Sequence, residues 1–182
     1  EGQDLGLIKW VYSDNRWSYR DIYRNFPFVM ESITGLEIIN NTVFLATDNG
    51  LLKADILGNL KDPNSWTLVS NDFNGPIGTM CQTNNGFAFT LNENIYKVFY
   101  NNGAIQYELL GIQMPVNFSD MLFDEEEFVW GIHNRNVYSQ KNDFVPITTG
   151  KTFYTISSDN QGNIIIGSEL GLIVIDKVSH EK

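Results

Sequence analysis

The sequence contains few of the residues on which most enzymatic and metal sites depend. Its 182 residues include one cysteine, Cys81, and two histidines, His133 and His180. One cysteine cannot form an internal disulfide, and neither residue type occurs as a pair at metal-ligand spacing. No Gly-x-Ser-x-Gly elbow and no glycine-rich phosphate-binding motif is present. We therefore expect no catalytic residue, no cofactor and no metal, and we predict a function other than catalysis.

Basic residues and long apolar runs are also scarce. Lys and Arg number 12 against 22 Asp and Glu, which gives a formal net charge of −10. A chain with no basic stripe to neutralise phosphates is not expected to bind nucleic acid or an anionic membrane surface. No apolar run approaches the ~20 residues of a transmembrane helix, so no membrane insertion is expected. The acidity favours solubility and would suit a cationic partner or Ca²⁺.

The chain does contain a repeated sequence motif, in which alternating apolar residues are followed by turn residues. Its copies align on Gly6, Gly50, Asn94, Arg135 and Gly171, at spacings of 44, 44, 41 and 36 residues. A period of ~40–50 residues made of short alternating strands is typical of a β-propeller blade. Helical repeats would instead place apolar residues three and four apart. The pattern predicts an all-β fold, a β-propeller arc of four-stranded antiparallel blades.

The predicted strands divide the chain into five parts of a single propeller segment. These are a partial blade at 1–32, blades at 33–76, 77–116 and 117–150, and a partial blade at 151–182. Outer strands are predicted at Trp66–Ser70 and Phe144–Thr148. The leading part has two predicted strands and the trailing part three, which makes about four blades. Because propellers usually have ~4–8 blades, the sequence predicts a fragment of a larger propeller.

The last copy of the motif resembles the two-component-regulator propeller repeat. The matching residues follow that repeat in order, with Ile165 where it has Trp: Asp159, Gly162, Ile164, Gly167, Ser168, Gly171 and Leu172. The segments 46–55 and 59–67 are similar to exported propellers of the Bacteroidetes type, including those of the type IX (Por) secretion system and its sorted cargo. The resemblance implies export to the periplasm or cell surface and an interaction role, and it supplies no catalytic residues.

Two acidic segments are candidate sites. The run Asp124–Glu127 could bind Ca²⁺ or a cationic partner, but it lacks the alternating ligand spacing and glycine turn of a calcium loop. We interpret it as a solvated turn between the first two strands of a blade. Asp159–Gly162 could likewise be a calcium turn, but an Asp side chain commonly caps a turn by accepting backbone N–H groups two residues on. His133 is interpreted as a strand-end residue.

Aromatic residues crowd the first segment: Trp10, Tyr12, Trp17, Tyr19, Tyr23, Phe26 and Phe28. Strand alternation predicts that Trp17, Tyr19 and Asp21 share one face. Such residues favour protein interfaces and sugar platforms, but they also pack blades together. Packing between blades is the interpretation we favour, and it applies equally to Trp17 and Trp66, which occupy equivalent positions in their units.

Three functional hypotheses remain open. The first is an interaction or assembly module of an exported bacterial protein, binding a protein partner and associated with type IX secretion. The second is the periplasmic sensor propeller of a hybrid two-component regulator, with an oligosaccharide as its ligand. The third is a propeller lyase or glycosidase, whose paired carboxylates would have to converge from distant blades.

Overall fold

The computed structural model describes residues 5–148 and 151–176, which form antiparallel β-sheets. The chain divides into two compact units between Pro76 and Ile77. The assignment of all five predicted parts to one domain stays a prediction. Helical structure in the described ranges is limited to three 3₁₀ turns, at Pro63–Ser65, Asn71–Phe73 and Gln140–Asn142. None of these described helices approaches the length or hydropathy needed to cross a membrane.

The first unit contains two sheets. The first sheet pairs β1 (Leu7–Ser13) with β2 (Arg16–Tyr23). The second sheet has the order β3-β4-β5-β6, with bounds Ile33–Ile39, Thr42–Thr47, Gly50–Asp55 and Thr67–Leu68. Asn40 and Asn41 join β3 to β4 with φ of 47° and 64°. Asn tolerates this left-handed region, and two such residues give the hairpin turn whose twist matches the flanking strands.

The core of the first unit lies on one face of the second sheet. Its buried members come from β4, β5 and the segment that follows: Val43, Leu45, Leu52, Ala54, Leu60 and Trp66. Leu7 and Tyr23 of the first sheet pack against this cluster. Phe26, Phe28 and Met30, from the loop after β2, also pack against it. From Phe26 to Met30, every second side chain of the loop between the two sheets therefore packs against the core.

The second unit contains three sheets, each with its strands in sequence order. The third sheet consists of β7 (Ile77–Thr83), β8 (Gly86–Leu91), β9 (Asn94–Asn101) and β10 (Ala104–Leu109). The fourth consists of β11 (Asp120–Phe123), β12 (Val129–His133), β13 (Asn136–Ser139) and β14 (Ile147–Thr148). The fifth consists of β15 (Phe153–Ser158), β16 (Ile164–Ser168) and β17 (Gly171–Ile175).

The fourth sheet is buried on both faces. One face packs with Ala88 and Ile95 of the third sheet through Met121, Val129 and Tyr138. The other face carries Leu122, Trp130, Ile132 and Val137, which join the buried side chains of the fifth sheet. Successive side chains of a strand point to opposite faces, so the near-continuous apolar run of β12 fits a strand covered on both sides.

The two outer strands that the sequence predicts are shorter in the structure. The strand predicted at Trp66–Ser70 covers only Thr67–Leu68. The strand predicted at Phe144–Thr148 covers only Ile147–Thr148. The first of these strands ends before Ser70, which caps a following 3₁₀ turn by accepting the backbone N–H of Asp72. The second begins after Phe144, whose φ of 56° is not that of an extended strand.

Candidate functional site

The acidic run Asp124–Glu127 forms the turn between β11 and β12, as predicted. The prediction that the run is solvated is wrong for Asp124, whose side chain is only 9% exposed. The Oδ1 atom of Asp124 accepts the backbone N–H groups of Glu126 and Phe128, each at 3.0 Å. Its Oδ2 atom accepts the indole N–H of Trp130 at 3.1 Å. Lys141 Nζ lies 3.3 Å from the same Oδ2 atom and 3.1 Å from Glu126 Oε2. The Asp124 carboxylate therefore stabilises the turn itself and also holds the side chains of Trp130 and Lys141 beside it.

Asp159 builds the same turn between β15 and β16. Its Oδ1 atom accepts the N–H groups of Gln161 and Asn163 at 2.8 and 2.9 Å, and Gly162 has a φ of 81°. The hydrogen bond from the Asn163 side chain is the main reason that the pKa of Asp159 lies below its usual range. The prediction of a carboxylate-capped turn is confirmed.

Glu127 occupies the position that corresponds to Gly162 and has a φ of 63°. Its Oε2 atom accepts a hydrogen bond from Lys97 Nζ of β9 at 2.7 Å. Its Oε1 atom accepts the backbone N–H of Asn84, in the β7–β8 turn, at 2.9 Å. Partial burial raises the pKa of Glu127, but these two hydrogen bonds outweigh it and the net shift is downward. Glu127 thus joins the fourth sheet to the third.

The other titratable candidates in the described ranges make local contacts. In residues 5–148 and 151–176, no three His, Cys, Asp or Glu side chains are grouped in a way that could hold a metal ion. His133 Nδ1 lies 2.7 Å from the carbonyl oxygen of Asn117. Cys81 is half-buried against the core between the third and fourth sheets. His180 lies outside the described residues.

The first sheet carries an exposed aromatic face, formed by Trp10, Tyr12, Trp17 and Tyr19. Each of these side chains is more than half exposed. Trp10 lies opposite Tyr19 with ring centroids 6.1 Å apart in an edge-to-face arrangement. Tyr12 lies opposite Trp17 with centroids 5.2 Å apart. Cross-strand aromatic pairs stabilise a hairpin, so the four rings form an ordered surface.

Two predictions about these aromatic residues are wrong. Trp17 is 67% exposed, whereas Trp66 is 2% exposed and donates its indole N–H to the carbonyl oxygen of Leu60. Packing between sheets therefore describes Trp66 but not Trp17. The same interpretation is wrong for Trp10, Tyr12 and Tyr19, whereas Tyr23, Phe26 and Phe28 do pack against the core. Asp21 does not share a face with Tyr19, because the register shifts between Lys9 and Trp10. A bulge adds one residue to one strand and reverses the alternation beyond it.

A second feature of the first unit was missed by the sequence reasoning. A cavity of about 590 Å³ is lined by residues 24–30 together with Leu5 and Pro63. Its wall is the loop between β2 and β3, a stretch with no repeated motif. The signal in the sequence is limited to two prolines and an arginine in an acidic chain, which do not predict a cavity by themselves.

The sequence matches no protein-family model and no curated protein. Solved structures resemble it in fold. The extracellular domain described as that of a one-component system, BT4673 from B. thetaiotaomicron, shares 16% identity over 93% of this chain and 26% of its own, with a TM-score of 0.56. The WD40 β-propeller domain of Doa1 shares 14% identity over 97% of this chain and 63% of its own, with a TM-score of 0.57.

The third similar structure is PorZ, described as an essential bacterial surface component of the type-IX secretion system of Porphyromonas gingivalis. It shares 11% identity over 95% of this chain and 30% of its own, with a TM-score of 0.51. The chain thus spans 26% to 63% of the length of these three structures. The prediction of an all-β, propeller-type fold with mostly four-stranded antiparallel sheets is confirmed. At these identities the likeness is one of fold.

Proposed function

We propose that the chain is a non-enzymatic β-propeller interaction module of an exported bacterial protein, and that it binds a protein partner through the aromatic face. The observation that carries the proposal is the set of four ordered rings on the first sheet, each more than half exposed. Trp and Tyr combine a large apolar area with few rotatable bonds, and they dominate the binding energy of protein interfaces. A surface of this composition is suited to a partner.

The structural roles of the carboxylates support the non-enzymatic part of this proposal. The carboxylates that sequence reasoning singled out accept backbone N–H groups within turns, as Asp124 and Asp159 do. Glu127 connects two sheets. A carboxylate committed to holding a turn is a poor general acid or base, because its hydrogen bonds favour the charged form.

Two of the similar structures support the proposed export and the proposed association with type IX secretion. One is described as an extracellular domain and another as a surface component of the type-IX secretion system. We extend this to the present chain as export to the periplasm or cell surface and association with type IX secretion.

Site-specific photocrosslinking in cells of the source bacterium tests the proposal. A benzoylphenylalanine at Tyr12 of the full-length protein is expected to give a discrete protein adduct, which is lost in a W10S/W17S variant. The same probe at Ser18 is the matched control, because Ser18 lies on the opposite face of β2 and pairs with Val11. Circular dichroism establishes that the variant is folded. Absence of an adduct from Tyr12, or equal adducts from Tyr12 and Ser18, would contradict the proposal.

The same aromatic face favours one alternative, an oligosaccharide ligand of a sensor propeller. Exposed rings can stack against the apolar faces of sugars. If the alternative holds, a glycan panel should include a member that quenches the fluorescence of the wild-type protein and leaves the W10S/W17S variant unchanged. No quenching by any glycan, together with a Tyr12 protein adduct, would leave the interaction module as the function.

A further inference from the structure

In the described part of the chain, β1 has a partner strand on one side only. The second, third and fourth sheets each have four strands, and their third strand pairs with the second strand on one side and with the outer strand on the other. β1 corresponds to the third strand β5, because Gly6 and Gly50 are equivalent positions of the repeat. Among the described residues, however, β1 pairs with β2 alone. Its other edge therefore presents unpaired backbone N–H and C=O groups, which can pair with another strand.

An apolar groove of about 200 Å³ lies beside this free edge, between β1 and β3 of the first unit. Leu36 and Ile38 of β3 line the groove and are 43% and 50% exposed. They lie opposite Leu45 and Val43 of β4, which are buried in the core of the first unit. Directly opposite side chains share a face of a sheet, so Leu36 and Ile38 stand on the core face and yet remain uncovered.

Equivalent residues of the second unit show what covers this position in a complete pair of sheets. Met121 of β11 and Ile156 of β15 occupy the place of Leu36 in the strand register. Met121 is 2% exposed and Ile156 is 5% exposed. There the innermost strands of successive sheets pack together, β7 against β11 and β11 against β15. Leu36 is exposed because the described part of the first sheet has no strand on the inner side of β1.

We propose that an extended strand of the protein partner pairs antiparallel with the free edge of β1 and covers Leu36 and Ile38. This inference rests on the proposed function, because it states how the partner of the aromatic face binds. Successive side chains of a strand point to opposite faces of its sheet. Every second residue of the added strand therefore lies beside Trp10 and Tyr12, and the residues between them enter the groove. The backbone hydrogen bonds supply affinity, and the two rows of side chains supply specificity.

The partner strand must be apolar on both faces, and the chain itself contains strands of this kind. β4 pairs with β5 on the edge that corresponds to the free edge of β1, and its residues 43–46 are all apolar. In the β4–β5 register, Phe44 lies opposite Lys53, the equivalent of Lys9. A peptide copying residues 41–48 would thus place its phenylalanine on the groove side of β1. This peptide is the probe for the partner strand.

Hydrogen–deuterium exchange on the full-length protein, read residue by residue, tests the proposal. The peptide is expected to protect every second amide of β1 and to leave the amides of β2 unchanged, because alternate N–H groups of a strand point to opposite edges. Unchanged exchange along β1 would overturn the proposal. Protection of the same β1 amides before the peptide is added would also overturn it, since the edge would then be filled by the same polypeptide.

Two N-methylated peptides are matched controls that keep every side chain. One is methylated at the residues that copy 43 and 45, the other at those that copy 44 and 46, so each has one edge blocked. One copy should bind as the parent peptide does, and the other should bind about 10-fold more weakly or worse, because two backbone hydrogen bonds are lost. Equal binding of the two copies would contradict pairing through the backbone.

Substitutions locate the added strand in the groove. L36S/I38S is expected to weaken the peptide about 10-fold by removing apolar contact area, and circular dichroism establishes that the variant is folded. L57S is the control, because Leu57 is 78% exposed and does not line the groove. Equal effects of L57S and L36S/I38S would overturn the proposal. A Tyr12 adduct without peptide binding overturns strand addition alone, whereas the absence of both overturns the proposed function as well.

Discussion

At the residue scale, Glu127 shows how a side chain can hold a backbone conformation that suits glycine. Its φ of 63° costs free energy for a residue with a side chain, and its two carboxylate hydrogen bonds offset that cost. The pKa of Glu127 lies below its ordinary value of 4.5. A group with a lowered folded pKa stabilises the fold above its unfolded pKa, and this stability is lost as the pH falls through the folded pKa.

We therefore predict that E127Q lowers the urea midpoint at pH 7 and flattens its decline below about pH 5. The loss at pH 7 should be about 1 kcal/mol or less, because the Glu127 side chain is 32% exposed. E93Q is the matched control, since Glu93 also has a φ of 63° and sits exposed in a hairpin turn. The prediction fails if E93Q and E127Q have the same pH dependence of unfolding.

Two glycines in equivalent repeat positions separate backbone strain from steric overlap. Gly50 and Gly171 have φ of 126° and 118°, which side chains rarely adopt. A Cβ at Gly50 would overlap the carbonyl oxygen of Phe73, whereas a Cβ at Gly171 would meet nothing within 4 Å.

We predict that G171A costs about 1–3 kcal/mol of unfolding free energy from strain alone, and that G50A costs more. Urea unfolding followed by tryptophan fluorescence measures both losses. Equal losses would show that the chain around Gly50 relaxes to make room for the methyl group, contrary to this prediction.

At the element scale, carboxylates connect neighbouring sheets of the second unit. Asp120 of β11 accepts the hydroxyl of Thr155 at 2.8 Å and the backbone N–H of Ile156 at 3.0 Å, both in β15. We predict that D120A costs about 1–3 kcal/mol and that T155V costs less, since the backbone contact survives in T155V. A double-mutant cycle should give a coupling of about 0.5–1 kcal/mol between the two side chains. Strictly additive losses would show that the 2.8 Å contact contributes nothing to the joining of the sheets.

Local chemistry explains which elements could be predicted from the sequence. The hairpin of β3 and β4 is fixed by the turn at Asn40–Asn41 and by apolar residues within a dozen positions, which are local signals that the sequence itself shows. The outer strands were predicted too long because the backbone leaves the extended conformation beside them, at the cap residue Ser70 of a 3₁₀ turn and at Phe144 with a φ of 56°. The bulge that moves Asp21 to the other face of the sheet is not marked by a turn residue, so the sequence did not predict it.

The candidate sites depend on contacts between distant segments, which limits what sequence could show. The alternation of β1 and β2 predicted that aromatic residues line one face, but whether another segment covers that face is not a local property. The cavity beside Arg24 depends on Asp48 and Asn49, about twenty residues away, and on Pro63 of another connection. The capped turn at Asp159 was predictable because all of its partners lie within four residues.

At the scale of the whole molecule, net charge opposes association through exposed apolar side chains. The first sheet exposes Trp17 at 67%, and the fifth sheet exposes Leu172 at 76% and Val174 at 55%. At pH 7 the charge of −10 gives self-repulsion, and near the isoelectric point of about 4.5 that repulsion vanishes.

We predict that the weight-average mass in sedimentation equilibrium rises as the pH approaches 4.5. A W17S/L172S variant should associate less at each pH, because contiguous apolar surface drives association once repulsion is removed. L57S is the control, since Leu57 is 78% exposed but belongs to neither sheet face. If L57S reduces association as much as W17S/L172S, then scattered apolar exposure is the driving force and the ordered faces have no special role. If charge loss alone causes association, the wild type, W17S/L172S and L57S will associate to the same extent at each pH. Salt at pH 7 will then reproduce the rise in mass by screening the charges.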